Sequence, residues 1–207
     1  MPVVWNDDKV WFDESLKLAQ ICHDISTLQT SNHSILLLSH FEATLSQLAT
    51  SLNAKGVRYE SFATLNPTDL CRQSPTKVWL GSARAFRVTQ ELTSGSAAGS
   101  LEIIVAEHHP LQSEDQEIAD AAKKLSCNAK LCFYFSLDDP LMRYFGNESI
   151  KALFERLGID KSECISHHLI NSAIRTAQEK IERKVGKGVP TYSVEDWFKY
   201  NLPGKKP

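Results

Sequence analysis

The run Ile35-Leu36-Leu37-Leu38-Ser39 decides the fold class of this 207-residue chain. Such a short, continuous apolar run predicts a strand that is buried on both faces of a sheet. The spacing then changes to the period of a helix, with one apolar stripe formed by Phe41, Leu45, Leu48, Ala49 and Leu52. Gly56 follows where a left-handed residue commonly ends a helix. The stretch therefore predicts one strand–helix unit.

The same alternation of strands and helices continues on either side of this unit. Asp13 can cap an earlier helix, and Ser113 with Gln116 forms a capping box ahead of a later one. Further strands are predicted at 57–62, 77–80, 101–105 and 130–136, and a Gly- and Ser-rich loop at 93–100. This order predicts an α/β domain over residues 1–137, with a mainly parallel sheet sandwiched by helices.

After residue 137 the hydrophobic pattern is helical only, so residues 138–207 are predicted to form a helical extension. Asn147 and Ser166 can cap its helices. Within the α/β domain, one further short helix is expected to start at Asn66. Residues 180–207 contain seven Lys and Arg against three Asp and Glu. This basic C-terminal tail is expected either to be solvated or to contact an acidic surface.

Composition excludes several classes of protein. The net charge of -2 leaves no general basic field for nucleic acid, and no stretch approaches the roughly 18 apolar residues of a membrane span. The five cysteines are odd in number and form no C-x-x-C pair, which favours reduced thiols. With no signal-like N-terminus, we expect a cytoplasmic protein. The histidine pairs at 108–109 and 167–168 lack further ligands at a suitable spacing, so no metal is expected.

Three blocks near the end of the predicted domain resemble a known family. They read SLDDPLMRYFG at 136–146, ERLG at 155–158 and AQEKIE at 177–182. A similar run, SLEDxLMRIFG…RLG…AIxxAQxKVE, joins the second RecA-like motor domain of the preprotein translocase motor SecA to its scaffold helix. AEHH at 106–109 is similar to T-E-R-H in the same family. The resemblance implies a RecA-like domain of the P-loop NTPase, helicase C-terminal type, with the start of the scaffold and without the first motor domain.

The departures from the family pattern concern nucleotide chemistry. The chain contains no phosphate-binding G-x-x-x-x-G-K-[ST] segment. The family's arginine segment, Q-x-x-G-R-x-G-R, falls on 117–124, where Ala121 and Lys124 stand at the arginine positions. Its G-R-G-T-D segment is absent from 81–88, although Arg84 and Arg87 lie there. A missing arginine finger costs about 10³ to 10⁵ in rate, so we expect no ATP hydrolysis by this chain alone.

The residues expected to face a nucleotide, if one binds, are Arg84, Arg87, Glu107, His109 and Lys124. No catalytic residue is assigned. Glu107 and His109 share a face if their segment is extended, which would allow an acid–base pair. The resemblance implies instead that this pair organises the interface between motor domains.

Three functions stay open at this point. The first is a non-catalytic SecA-like pseudoenzyme that binds or regulates a protein, either a motor domain or another export component, without a cofactor. The second is half of a split ATPase, which would bind ATP or ADP with magnesium only when a partner chain completes the site. The third is an unrelated interaction or scaffold protein on an inherited fold.

Overall fold

A computed structural model describes residues 3–30, 33–63, 70, 77–88, 99–145, 151, 156, 158, 160–166 and 168–202. The strands are β1 (Val4–Trp5), β2 (Lys9–Trp11), β3 (Ser34–Ser39), β4 (Glu60–Ser61), β5 (Val78–Ser82), β6 (Ser100–Val105) and β7 (Asn128–Ser136). The helices are α1 (Glu14–Thr30), α2 (Glu42–Ala54), α3 (Ala83–Val88), α4 (Gln112–Lys123), α5 (Pro140–Phe145), α6 (His168–Val185) and α7 (Val194–Asn201).

The strands form one parallel sheet in the order β1-β7-β6-β3-β5-β4, and β2 continues the pairing along β7. β3 is central, and its register pairs Leu37 with Ile104 of β6 and with Leu80 of β5. The predicted α/β fold with a mainly parallel sheet is therefore confirmed.

The side chains of β3 alternate between two apolar cores. Leu36 and Leu38 pack into one core with residues of α3 and α4, whereas Ile35 and Leu37 pack into another with residues of α1 and α2. Successive residues of a strand point to opposite faces, so a strand covered on both sides needs an unbroken apolar run. This explains why the sequence of β3 is continuous rather than alternating.

Local signals at two helices are confirmed. The side chain of Asp13 accepts a hydrogen bond from the backbone N–H of Leu16 at 2.8 Å, which caps α1. Gly56 follows α2 with a φ of 69°, the left-handed conformation that glycine adopts without a steric cost.

Two local predictions are wrong. The strand expected at 57–62 is reduced to Glu60–Ser61, because this segment reaches the edge of the sheet and pairs only with β5. The capping box is not formed: α4 starts at Gln112, and its N-cap, Leu111, makes no side-chain hydrogen bond. The predicted features at Asn66, 93–98 and Asn147 lie outside the described residues, as does residue 167 next to Ser166.

The described part of the basic segment is folded, and its Lys and Arg side chains are exposed. Residues up to Val185 belong to α6, and an unpredicted helix, α7, is capped by Ser193, whose hydroxyl accepts from the N–H of Asp196 at 3.1 Å. Trp197 and Phe198 are each 1% exposed and lie in a core with Phe41 and residues of α5 and α6. The boundary proposed at residue 137 stays a prediction.

A glycine allows this packing. A Cβ on Gly188 would lie 2.8 Å from the Trp197 indole, closer than real contacts allow. The absence of a side chain therefore lets the 186–190 segment lie against the indole ring.

Among the described residues, no helix is long and apolar enough to cross a membrane.

Candidate functional site

The candidate site lies where the chain leaves β3 and β6. These neighbouring strands lead to opposite faces of the sheet, since α2 follows β3 and α4 follows β6. In open parallel sheets, ligands bind outside the carboxyl ends of the strands at such a switch point. The structure has a cavity of about 350 Å³ there, which we call the carboxyl-edge cleft. It is lined by His40, Phe41, Ala83, Arg84, Arg87, His109, Leu111, Glu114, Glu117, Gly188, Pro190, Thr191 and Trp197.

Glu107, one of the predicted residues, does not line the cleft, but it bonds to His40 and Phe41, which do. Its Oε1 accepts from the hydroxyl of Ser39 at 2.7 Å and from the backbone N–H groups of His40 and Phe41 at 2.9 and 3.0 Å. Its Oε2 accepts from the hydroxyl of Thr44 at 2.5 Å. The first N–H groups of a helix commonly bind an anion such as phosphate. Here the chain's own carboxylate binds the N–H groups of the two residues that directly precede α2.

A second contact at the same helix comes from the C-terminal segment. The backbone carbonyl of Tyr192 accepts from the N–H of Ala43 at 3.0 Å. The N–H groups of residues 40, 41 and 43 are thus bonded to groups of this chain. A phosphate at the start of α2 would have to displace them.

Asp115 of α4 was not among the residues predicted from the sequence. It connects the loop after β3 and the loop after β6 to α6. Its Oδ2 lies 2.8 Å from His108 Nδ1 and accepts from the amide of Gln178 at 2.6 Å. Its Oδ1 lies 2.9 Å from His40 Nε2 and accepts from the N–H of His109 at 3.0 Å. His40 Nε2 and Asp115 Oδ1 are thus within ion-pair distance of each other.

The charges in this group follow from burial and from neighbouring groups. Burial disfavours a charged His108 ring, but the carboxylates of Asp115 and Asp8 outweigh it and raise the pKa of His108 to about 10. Burial would raise the pKa of Asp115, but His108 holds it well below its usual range. The pair is therefore a buried imidazolium and carboxylate at neutral pH.

His109, a predicted residue that lines the cleft, has its pKa shifted in the opposite direction from that of His108. Burial and the nearby His40 lower its pKa to about 3, so its ring is neutral at pH 7. Its Nδ1 accepts from the N–H of Leu111 at 3.0 Å. The ring stacks on Phe41 and meets Trp197 edge-on, with centroid distances of 5.5 and 5.6 Å. Although Glu107 and His109 are two residues apart, they make different contacts, and neither is a hydrogen-bonding partner of the other.

The predicted basic residues are only partly brought together. Arg84 and Arg87 both line the cleft. Arg87 Nη1 lies 2.5 Å from Glu114 Oε2 and also pairs with Glu117. Arg84 is exposed, and within the described ranges no carboxylate pairs with it. Lys124 is exposed beyond the other end of α4, of which it is the C-cap, so it does not reach the cleft.

A further buried polar group lies beside the site. Lys17 is 1% exposed, and its Nζ donates to the carbonyl of Ala106 at 2.8 Å and pairs with Glu14 at 2.8 Å. Burial raises the pKa of the neighbouring Asp139 to about 7, although Lys17 opposes this rise. Lys17 thus links α1 to the end of β6.

The described residues contain no cluster of three or more His, Cys, Asp or Glu side chains that could hold a metal ion.

Comparison with known proteins finds a family match for part of this domain. Residues 68–163 match the family model for the SecA P-loop domain, a segment that includes β5–β7, α3, α4 and the cleft residues from Ala83 to Glu117. The C-terminal part of the Fun30 ATPase domain overlaps the chain with a TM-score of 0.45 and 13% identity, over 81% of this chain and 54% of that one.

The curated relatives are protein translocase subunits. SecA of Campylobacter curvus is 29% identical over 168 residues, which is 81% of this chain and 17% of that protein. SecA of Acidithiobacillus ferrooxidans is 36% identical over 88 residues, which is 42% of this chain and 10% of that protein. The chain is therefore a relative of SecA, and the resemblance indicated by its motifs is confirmed. The matched segments span less than a quarter of the relatives' length.

Proposed function

We propose that this chain is a protein-binding module of a protein-export system and does not turn over ATP by itself. The observation that carries the proposal is the occupied turn before α2, where Glu107 binds the N–H groups of His40 and Phe41. A carboxylate at this position repels phosphate and takes the donors that would bind it. The relationship to SecA supports a role in export, and we place the chain in the cytoplasm with a motor domain or another export component as partner.

Nucleotide titration tests the non-catalytic part of this proposal. The purified chain is titrated with ATP and with ADP in the presence of magnesium, by calorimetry, and its ATPase rate is measured. We expect neither binding at micromolar concentrations nor turnover. Binding in that range, or turnover without a partner, would contradict the proposal. The variant Glu107→Gln provides a control, because it removes the repulsion and keeps the size of the side chain.

A split ATPase is the second candidate, and one observation favours it. Arg84 is exposed at the cleft and has no carboxylate partner within the described ranges, so it could reach a phosphate held by another chain. Arg87 would first have to leave Glu114 and Glu117.

The discriminating measurement is the ATPase rate of a SecA-type first motor domain with and without this chain. The split-enzyme function requires a gain in rate that Arg84→Ala or Arg87→Ala removes. Lys124→Ala is the matched control, since its side chain lies away from the cleft. Binding without a gain in rate would favour the protein-binding module.

A further inference from the structure

The C-terminal segment that lines the carboxyl-edge cleft also carries exposed apolar side chains. Gly188, Pro190 and Thr191 line the cleft, and the side chains next to them in the chain, Val189 and Tyr192, are 63% and 60% exposed. We call Val189 and Tyr192 the apolar rim. Large exposed apolar groups in a segment that lines a cleft are typical of a contact surface for another molecule.

The backbone that carries the rim is held in place. The Asn201 side chain accepts from the N–H of Val189 at 2.6 Å and donates to its carbonyl at 3.1 Å. The carbonyl of Tyr192 is bonded to the N–H of Ala43 on α2 at 3.0 Å. A surface that is already ordered loses little conformational entropy when a partner binds. The rim is therefore a preorganised surface.

The charges around the cleft select the kind of partner. Arg84 offers an exposed guanidinium without a carboxylate partner in the described part of the chain. Glu114 and Glu117 also line the cleft and pair with Arg87, so the negative charge of a polyphosphate would meet two carboxylates as well as one available arginine. A protein segment with a single carboxylate needs one cationic partner, which Arg84 supplies. Apolar residues beside that carboxylate can cover the apolar rim.

We infer that the carboxyl-edge cleft and the apolar rim bind a protein segment in which an aspartate or glutamate is flanked by apolar residues. The carboxylate of that segment pairs with Arg84, and its apolar neighbours cover Val189 and Tyr192. This inference rests on the proposed protein-binding function and adds the chemistry of the partner.

The test is a selection of short random peptides on the immobilised full chain, followed by titration of the selected peptides by fluorescence anisotropy. We expect enriched peptides to contain an acidic residue between apolar ones, and we expect Arg84→Ala to weaken them by about 10-fold or more. Tyr192→Ala should weaken them as well. Arg58→Ala is the matched control, because Arg58 is an exposed arginine outside the cleft and should leave the affinity unchanged.

A charge exchange gives a second readout that a loss of folding cannot imitate. Arg84→Glu should abolish binding of the acidic peptide and restore binding when the acidic residue of the peptide is replaced by lysine. The inference is overturned if no peptide is enriched, if enriched peptides lack acidic residues, or if pyrophosphate displaces them at micromolar concentration.

The failure of this inference can be separated from the failure of the proposed function. An export component that binds wild type and Arg84→Glu equally well would overturn the assignment of the cleft and leave the protein-binding function in place. Micromolar binding of ATP to the chain alone would contradict the proposed function directly.

Discussion

Asp115 Oδ2 lies 2.8 Å from His108 Nδ1 in an environment where both side chains are almost fully buried. The same carboxylate bonds to the amide of Gln178, so one side chain of α4 connects the loop after β6 with α6. Burying two charges is costly unless they are paired and hydrogen-bonded. Here His108 Nδ1 is bonded to Asp115, and His108 Nε2 lies 3.3 Å from Asp8 Oδ2. The network therefore links α6 to α4 and to the loop after β6.

The adjacent histidines should make folding stability depend on pH in opposite directions. The folded pKa of His108, about 10, exceeds its usual 6.5, so its stabilisation is complete below pH 6.5 and is lost as the pH rises toward 10. The folded pKa of His109, about 3, lies below 6.5, so the unfolded chain binds a proton first and stability falls as the pH drops below 6.5.

Urea unfolding at about pH 5, 6.5 and 9 measures these effects, each of which has a slope of at most about 1.4 kcal/mol per pH unit. We expect His108→Gln to remove the alkaline slope and His109→Gln to remove the acidic one. His23→Gln, at an exposed position of α1, should change neither slope. Equal slopes in wild type and both variants would show that these rings do not carry the pH dependence.

Removing the carboxylate at the start of α2 should be strongly destabilising. Glu107→Ala leaves the N–H groups of His40 and Phe41 and the hydroxyl of Thr44 without their acceptor. We expect the free energy of unfolding to fall by about 2 to 4 kcal/mol, measured by urea denaturation. Glu179→Ala on the exposed side of α6 should stay within about 0.5 kcal/mol of wild type. A small effect of Glu107→Ala would mean that water or another group satisfies these donors.

The C-terminal helix should contribute directly to stability. Trp197 is 1% exposed and contacts His109 and Phe198, so Trp197→Ala leaves a large cavity between α7 and the loop that carries His109. We expect a loss of about 3 to 5 kcal/mol, against less than about 0.5 kcal/mol for the exposed Tyr200→Ala. Thermal unfolding followed by circular dichroism compares the two variants. Equal melting temperatures would contradict the packed position of α7.

Neutralising Asp139 should not harm the fold at slightly alkaline pH. Its folded pKa of about 7 exceeds the usual 3.8. The unfolded chain therefore loses this proton first, and the free energy of unfolding falls as the pH rises from 3.8 to about 7. The variant Asp139→Asn carries an uncharged amide, and the oxygen of that amide can still accept from the N–H of Leu141, a bond of 2.8 Å in the native chain. We expect this variant to equal wild type or exceed it by up to about 2 kcal/mol near pH 8.

Urea unfolding at about pH 5 and 8 measures this difference. Asp138→Asn serves as the comparison, because Asp138 is partly exposed and pairs with Lys151. A marked loss of stability in Asp139→Asn alone, at the higher pH, would show that the charged form of Asp139 is needed.

The sequence by itself determined the class of fold and indicated the relationship to SecA. The apolar run of β3 and the helical stripes on either side are local patterns, because each depends only on residues that are close in the chain. The motif at 136–146 is also local, and it keeps its spacing to the blocks that follow it. The resemblance also pointed to Arg84, Arg87 and His109, and the structure shows all three lining the cleft after the carboxyl ends of strands.

Only the tertiary structure decided which of these groups meet and in what state of charge. It joined Asp115 to His40 and His108, paired Arg87 with Glu114 and Glu117, and placed Lys124 at the far end of α4. It also packed Trp197 against His109 in a segment whose composition predicts a basic tail. These relationships join residues that are distant along the chain, and the low dielectric of a buried site sets their charges, so no local pattern records them.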